Sequence, residues 1–242
     1  MDAIRTEQLT KIYGRTTAVD HLNLTVKQGE LFSLLGVNGA GKTTTVKMLA
    51  CLSAPSGGDA FLNGRSIVSD TAGVKAVIGI SPQETAVAPN LTARENLELM
   101  GGVHGFSRAR QKEKAEELAG RFGLDGILRK RAGTLSGGWQ RRLSIAMALI
   151  GEPQILFLDE PALGLDVLAR HNLWEIIRSL KGKITIVLTT HSMEEADALS
   201  DRVGIMQEGK LLAVGSVAAL KERTGTERFE DTFLALVKGE ER

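Results

Sequence analysis

Short apolar runs and stretches of helical periodicity alternate along most of the 242 residues. Residues 4–9 and 19–26 cluster or alternate apolar side chains between turn signals at Gly14 and Gly29, and read as strands. The run 31–35 (LFSLL) reads as a buried strand, and the helix that follows over 44–52 repeats apolar positions at Val46, Leu49 and Ala50. A hairpin is expected at 60–62, turned by Asn63 and Gly64, with a further strand at 77–81. From residue 92 to 149 the pattern becomes helical: 92–100 opens on a Thr92-x-x-Glu95 capping signal, and 108–122 is rich in Ala, Glu, Lys and Arg. Strand patterns resume at 155–158 and 184–189, with a helix near 169–180 between them. Two last strands, 203–207 and 210–213, flank Gly209.

Alternating strands and helices predict an α/β protein with a mainly parallel sheet, an antiparallel β subdomain at the N-terminus and an inserted helical subdomain. The expected division is a core of residues 1–87 and 151–222, a helical insertion of 88–150, and a charged, partly amphipathic tail of 223–242.

Composition narrows the class. Hydrophobic residues at 43% and charged residues at 24% fit a globular protein, and a net charge of +1 gives no electrostatic reason to expect nucleic acid. Cys51 is the only cysteine, so no intrachain disulfide can form, and its place after the first helix points to an inert buried thiol. No leader is expected from residues 1–10, and no apolar run approaches the ~18 residues of a membrane span.

Candidate chemistry starts at residues 36–43, GVNGAGKT, which fit the phosphate-loop pattern G-x-x-x-x-G-K-[ST] between an expected strand and an expected helix. That context lets backbone N–H groups of Asn38, Gly39, Ala40, Gly41 and Thr44 converge on a phosphate at a helix N-terminus. Lys42 would reach the β- and γ-phosphates, and the Thr43 hydroxyl would sit on Mg²⁺. The run 155–160 (ILFLDE) ends a buried strand in two carboxylates at the edge where α/β sheets bind ligands. Asp159 is placed to hold Mg²⁺, and Glu160 to act as general base on the attacking water.

Residues 135–142, LSGGWQRR, carry the decisive resemblance. Over about residues 3–220 the chain resembles the nucleotide-binding subunit of ATP-binding cassette (ABC) transporters, whose signature other phosphate-loop proteins lack. The resemblance implies that Ser136, Gly137 and Gly138 start a helix aimed at the γ-phosphate held by a second subunit. It places Tyr13 on the adenine, Gln83 at Mg²⁺ and the attacking water, His191 at the γ-phosphate, and Asp166 in a loop crossing the dimer interface. It further implies ATP and Mg²⁺ as cofactors, a homo- or heterodimer, and a separate membrane-spanning permease. That permease would hold the chain at the cytoplasmic face of the cell membrane, with docking around residues 84–95.

Two positions depart from the usual pattern. Trp139 stands where many members carry Gln, and is expected to pack rather than do chemistry. Ala162 stands where Thr or Ser is common, removing a hydroxyl near Glu160. Trp139 followed by Gln140, Arg141 and Arg142, together with the closing segment 229–236, resembles efflux-type subunits, so export is the expected direction. A soluble, non-transport ABC ATPase is the alternative, but one phosphate loop, one signature and no sustained heptads disfavour it. A nucleotide-binding subunit without hydrolysis is disfavoured by the presence of Gln83, Glu160 and His191. A phosphate-loop GTPase or small-molecule kinase would not account for residues 135–138.

Overall fold

Leu31–Leu35 (β4), Ile155–Asp159 (β8) and Thr185–Thr190 (β9) are buried at every position, as strands covered on both faces must be. The structure, a computed structural model, describes residues 1–239. β4, β8 and β9 lie in a six-stranded sheet ordered β11-β10-β4-β9-β8-β7, with β7 Ile78–Ser81, β10 Arg202–Gln207 and β11 Lys210–Gly215. All neighbours pair in parallel except β10 with β11. The C-terminal ends of β4, β7, β8 and β9 therefore emerge along one edge, and the chemistry is built there.

The pleat splits these strands between two cores. Leu31, Leu156, Leu158, Ile186 and Leu188 face a helical layer made of α3 Ala93–Val103, α4 Arg108–Phe122, α5 Gly137–Leu149 and α6 Val167–Leu180. Phe32, Leu34, Ile155, Phe157 and Val187 face the other way, toward α1 Lys42–Leu49, α2 Thr71–Val77 and a second, antiparallel sheet. That sheet runs β2-β1-β5-β6, with β3 also paired to β1 (β1 Asp2–Tyr13, β2 Thr16–Leu22, β3 Thr25–Lys27, β5 Gly57–Leu62, β6 Arg65–Ser66). A third cluster joins Leu35, Ala196, Val203 and Ile205 to Leu220, Phe229, Phe233 and Leu236. Its helices are α7 Met193–Leu199, α8 Val217–Thr224 and α9 Phe229–Lys238.

Most expected elements stand where the pattern puts them, α4 to the residue, and α3 with its full Thr92–Glu95 capping box. Others differ for identifiable reasons. The strand expected over 19–26 is two strands, broken after His21 takes a left-handed φ of 48°. The first helix covers 42–49, and Cys51 lies just beyond it, half-buried, with burial pushing its thiol up. The strand expected from 77 begins at Ile78 because Val77 closes α2. That helix is short, contains Gly73 and is held by an Asp70 cap, so it shows no legible period. The boundary drawn after residue 222 falls inside α8. The segment that follows packs α9 onto the core through Phe229, Phe233 and Leu236, while residues 240–242 of the expected tail lie outside the described residues.

Candidate functional site

The turn after β4 brings the chain back on itself in residues 36–41. Ala40 N–H donates to the Val37 carbonyl at 3.2 Å, and Gly41 takes φ 102° immediately before α1. A side chain at Gly41 would sit 2.5 Å from the Ala18 carbonyl, and one at Gly36 would sit 2.4 Å from the Met206 carbonyl, so glycine is required at both. Residues 38–44, at the loop and the start of α1, then line one cleft of about 400 Å³ together with Gln83, Glu160 and His191.

Lys42 is buried in that cleft. Its Nζ donates to the Gly36 carbonyl at 2.7 Å and the Val37 carbonyl at 3.1 Å, and lies 3.5 Å from Glu160 Oε1. Burial pulls the ammonium's pKa down, and the Glu160 and Asp159 carboxylates oppose that pull. Thr43 Oγ1 donates to Asp159 Oδ1 at 3.0 Å, joining the loop to the end of β8. Thr189, paired with Asp159 in the β8–β9 register, donates its hydroxyl to the same carboxylate oxygen.

Glu160, 7% exposed, is a non-glycine residue at φ 47°. Its N–H is held by the Thr189 carbonyl at 3.1 Å and the Thr189 hydroxyl at 3.0 Å. The left-handed turn is strained for a glutamate, and those bonds over-determine it. It sets the carboxylate between Lys42 and His191, whose Nδ1 lies 2.9 Å from Glu160 Oε2. Lys42, Thr43, Asp159, Glu160 and His191 thus form one connected cluster, and exposed Gln83 lines the same cleft.

The remaining expected residues stand elsewhere. Ser136, Gly138 and Asp166 line a separate pocket with Trp139 and Arg142, which shares no residue with the first. Ser136 occupies the N-cap of α5, where its hydroxyl accepts no helix bond, and Gly137 is the first residue of that helix. Asp166 Oδ1 caps α6 by accepting from Ala169 N–H at 2.8 Å. Trp139 packs against the helical core with the Arg142 guanidinium 4.9 Å over its ring. Ala162 turns the loop through its carbonyl, which accepts from Leu165 N–H at 3.2 Å. Tyr13, 48% exposed at the end of β1, lies outside the cleft lining, with the Lys11 ammonium 4.9 Å over its ring. A larger cleft of about 670 Å³ opens at the N-terminal ends of β8 and β9, away from all of these residues.

Three contributors escaped the sequence reading. Thr189 read as a strand end, because only the parallel register sets it beside Asp159. Buried Glu195 accepts from Trp174 Nε1 at 3.0 Å, tying α7 to α6, and burial pushes its carboxyl up. Arg141, 5% exposed, reaches the Gln83 loop.

A glycine-turned anion cradle and a strand-end carboxylate pair on the C-terminal edge of a parallel sheet are the architecture of phosphate-loop nucleoside triphosphatases. The sequence model of the ABC transporter family matches residues 19–163. The chain belongs to that family, as one of its ATP-binding, ATP-hydrolysing cassettes. It is 42% identical over 225 residues to the daunorubicin/doxorubicin resistance ATP-binding protein DrrA of Streptomyces peucetius, covering 93% of this chain and 68% of that one. The doxorubicin resistance ATP-binding protein DrrA of Mycobacterium tuberculosis is 41% identical, covering 93% of this chain and 66% of its own length. Human ATP-binding cassette sub-family A member 2 is 45% identical over 230 residues, only 9% of that protein. The chain therefore spans about two thirds of the drug-resistance relatives and a small part of the sub-family A protein. Among solved structures, an ATP-binding subunit of an ABC transporter superposes with TM-score 0.86 at 27% identity, covering 97% of this chain and 99% of that one. The cassette MJ0796, a dimer in a post-hydrolysis state with ADP and Pi, superposes with TM-score 0.80 at 26% identity, covering 88% of this chain and 98% of that one.

Proposed function

We propose that this chain is the ATP-driven motor of an export system, paired head-to-tail with a second cassette and coupled to a separate membrane-spanning subunit. The observation that carries the reading is the division of the expected nucleotide contacts. Lys42, Thr43, Gln83, Glu160 and His191 share one cleft, while Ser136, Gly138 and Asp166 share another. A single copy therefore presents two half-sites, and two copies facing in opposite directions complete both. The relative solved as a dimer with ADP and Pi supports that arrangement, and the drug-resistance names of two relatives support export.

In this reading residues 38–44 cradle the phosphates through backbone N–H groups, and Lys42 exchanges its two carbonyl partners for phosphate oxygens. Tyr13 stacks on the base from the end of β1. The donor set fits Mg²⁺, since Thr43 and Asp159 are hard oxygen donors already hydrogen-bonded to each other and Gln83 faces the same cleft. No group of three or more His, Cys, Asp or Glu side chains among the described residues could hold a metal alone, which suits an ion held mainly by phosphate and water. When bound, the ion supplies neutralisation of charge developing on the phosphates. Glu160 takes the proton of the attacking water, and His191, bonded to Glu160, orients toward the γ-phosphate. The partner's Ser136–Gly137–Gly138 turn closes the site from the opposite side, and loss of the γ-phosphate releases it.

No helix among the described residues is long and apolar enough to cross a membrane, so the transported molecule would pass through another subunit. We place its docking surface at the Gln83 loop and α3, where Leu99 and Val103 are 50% and 71% exposed. That contact would hold the chain at the cytoplasmic face.

The test is hydrolysis by purified Glu160→Gln. Turnover is expected to fall about 10²–10⁴-fold with ATP binding retained, as loss of a general base requires. Near wild-type hydrolysis would remove Glu160 from that role.

A further inference from the structure

The helix that starts with the signature turn is fastened along the loop that carries Gln83. Ser144 Oγ lies 3.0 Å from Ser81 Oγ, at the end of β7. One turn earlier on α5, the Arg141 guanidinium donates to the Pro82 carbonyl at 2.6 Å and to the Gln83 carbonyl at 2.5 Å. Next to it, the Gln140 amide donates to the carbonyls of Ala132 and Leu135, at 3.1 and 3.2 Å, and so holds the turn before Ser136.

Arg141 is an unusual residue to bury. It is 5% exposed, and among the described residues no carboxylate lies within ion-pair distance of it. Asp159 and Glu195 act on it only through space. A desolvated guanidinium satisfied by backbone carbonyls is costly to keep, whereas an apolar side chain would fill the same space at no such cost. Its planar fork, however, can hold two successive carbonyls in fixed relation, which neither an apolar side chain nor a lysine can do.

We propose that Arg141 is a positioning residue that locks the signature turn to the Gln83 loop, so that the two halves of the nucleotide contact set move as one body. The proposal rests on the motor reading given above. Gln83 faces the chain's own nucleotide cleft, and Ser136 faces the second pocket. Arg141 stands five positions after Ser136, the N-cap of the same helix, so a shift of the Gln83 backbone on nucleotide binding is handed directly to the turn that meets the partner's nucleotide. Arg141 lines neither of these pockets. It acts through the Gln83 backbone.

The experiment is a double-mutant cycle read as a split between kcat and nucleotide affinity. Arg141→Met should leave the affinity of the chain for a fluorescent ATP analogue within about 3-fold, while kcat falls about 10–10²-fold, as loss of alignment does. Gln83→Ala combined with Arg141→Met should turn over no slower than Gln83→Ala alone, because both remove one link. Should Arg141→Met fail to fold, Arg141→Lys decides: it should keep affinity, lose part of kcat and show the same non-additivity with Gln83→Ala. Losses that multiply independently would mean that Arg141 serves folding only, and kcat within about twofold of wild type would mean that it serves nothing in turnover. Either result overturns the proposal. A wild-type protein without ATP turnover is a different failure, since it removes the motor reading and the proposal together.

Discussion

Thr189→Val keeps the shape and β-branching of the residue and deletes one hydroxyl, so strand preference is little changed. That hydroxyl donates to Asp159 Oδ1 and accepts from Glu160 N–H at 3.0 Å. Glu160 N–H retains the Thr189 carbonyl at 3.1 Å, and Asp159 retains Thr43 at 3.0 Å, so neither group is orphaned. The loss is then the bond to the buried Asp159 carboxylate and one of the two arms shared by Glu160 N–H, of which the charge-assisted bond dominates at about 1.5–3 kcal/mol. For a chain of this size each kcal/mol moves Tm by roughly 2–4 °C, giving an expected drop of about 3–12 °C by calorimetry. Turnover should fall as well, because Asp159 and the left-handed Glu160 backbone are both set by this residue. Thr189→Ser should recover most of both properties. A valine variant within ~0.5 kcal/mol of wild type, with unchanged kcat, would refute the reasoning, because surface-like indifference is incompatible with a buried charge-assisted bond.

Lys42→Ala should weaken binding of a fluorescent ATP analogue by about 10²-fold, since it removes a charge-assisted contact to phosphate; unchanged affinity in titration would take Lys42 out of the cradle. Glu195 lies 2% exposed, and burial holds its carboxyl protonated to higher pH than in the unfolded chain. The folded state thus carries more protons in the window above the ordinary glutamate pKa, so this residue's contribution is full at lower pH and is lost as pH rises through the folded value. Glu195→Gln should therefore raise Tm more at pH 8 than at pH 5. An equal shift at both pH values would contradict that assignment.

The hydrophobic pattern made β4, β8 and β9 legible as buried strands, and spacing made the loop over 36–43 and the carboxylates at 159 and 160 legible as chemistry. What the pattern could not carry is lateral register. Thr189 becomes functional only because β9 lies beside β8 in parallel, and Arg141 only because α5 packs on β7, and neither pairing leaves a periodic trace. The αL turn at Glu160 is likewise silent in sequence, since nothing about a glutamate announces positive φ. Helices α2, α7 and α8 have no counterpart in the sequence pattern for a different reason. Each is at most eight residues long, too short for a period of 3.6 to be distinguished from a loop, and all three are held by caps and packing.

The most direct test of a site completed by two copies is the mass of Glu160→Gln in solution, measured by analytical ultracentrifugation with and without Mg-ATP. A single chain without nucleotide and a stable pair with ATP is the predicted result, with pairing lost in Ser136→Arg while single-chain nucleotide binding persists. ATP bound at saturation to a chain that stays single at every concentration would contradict the account.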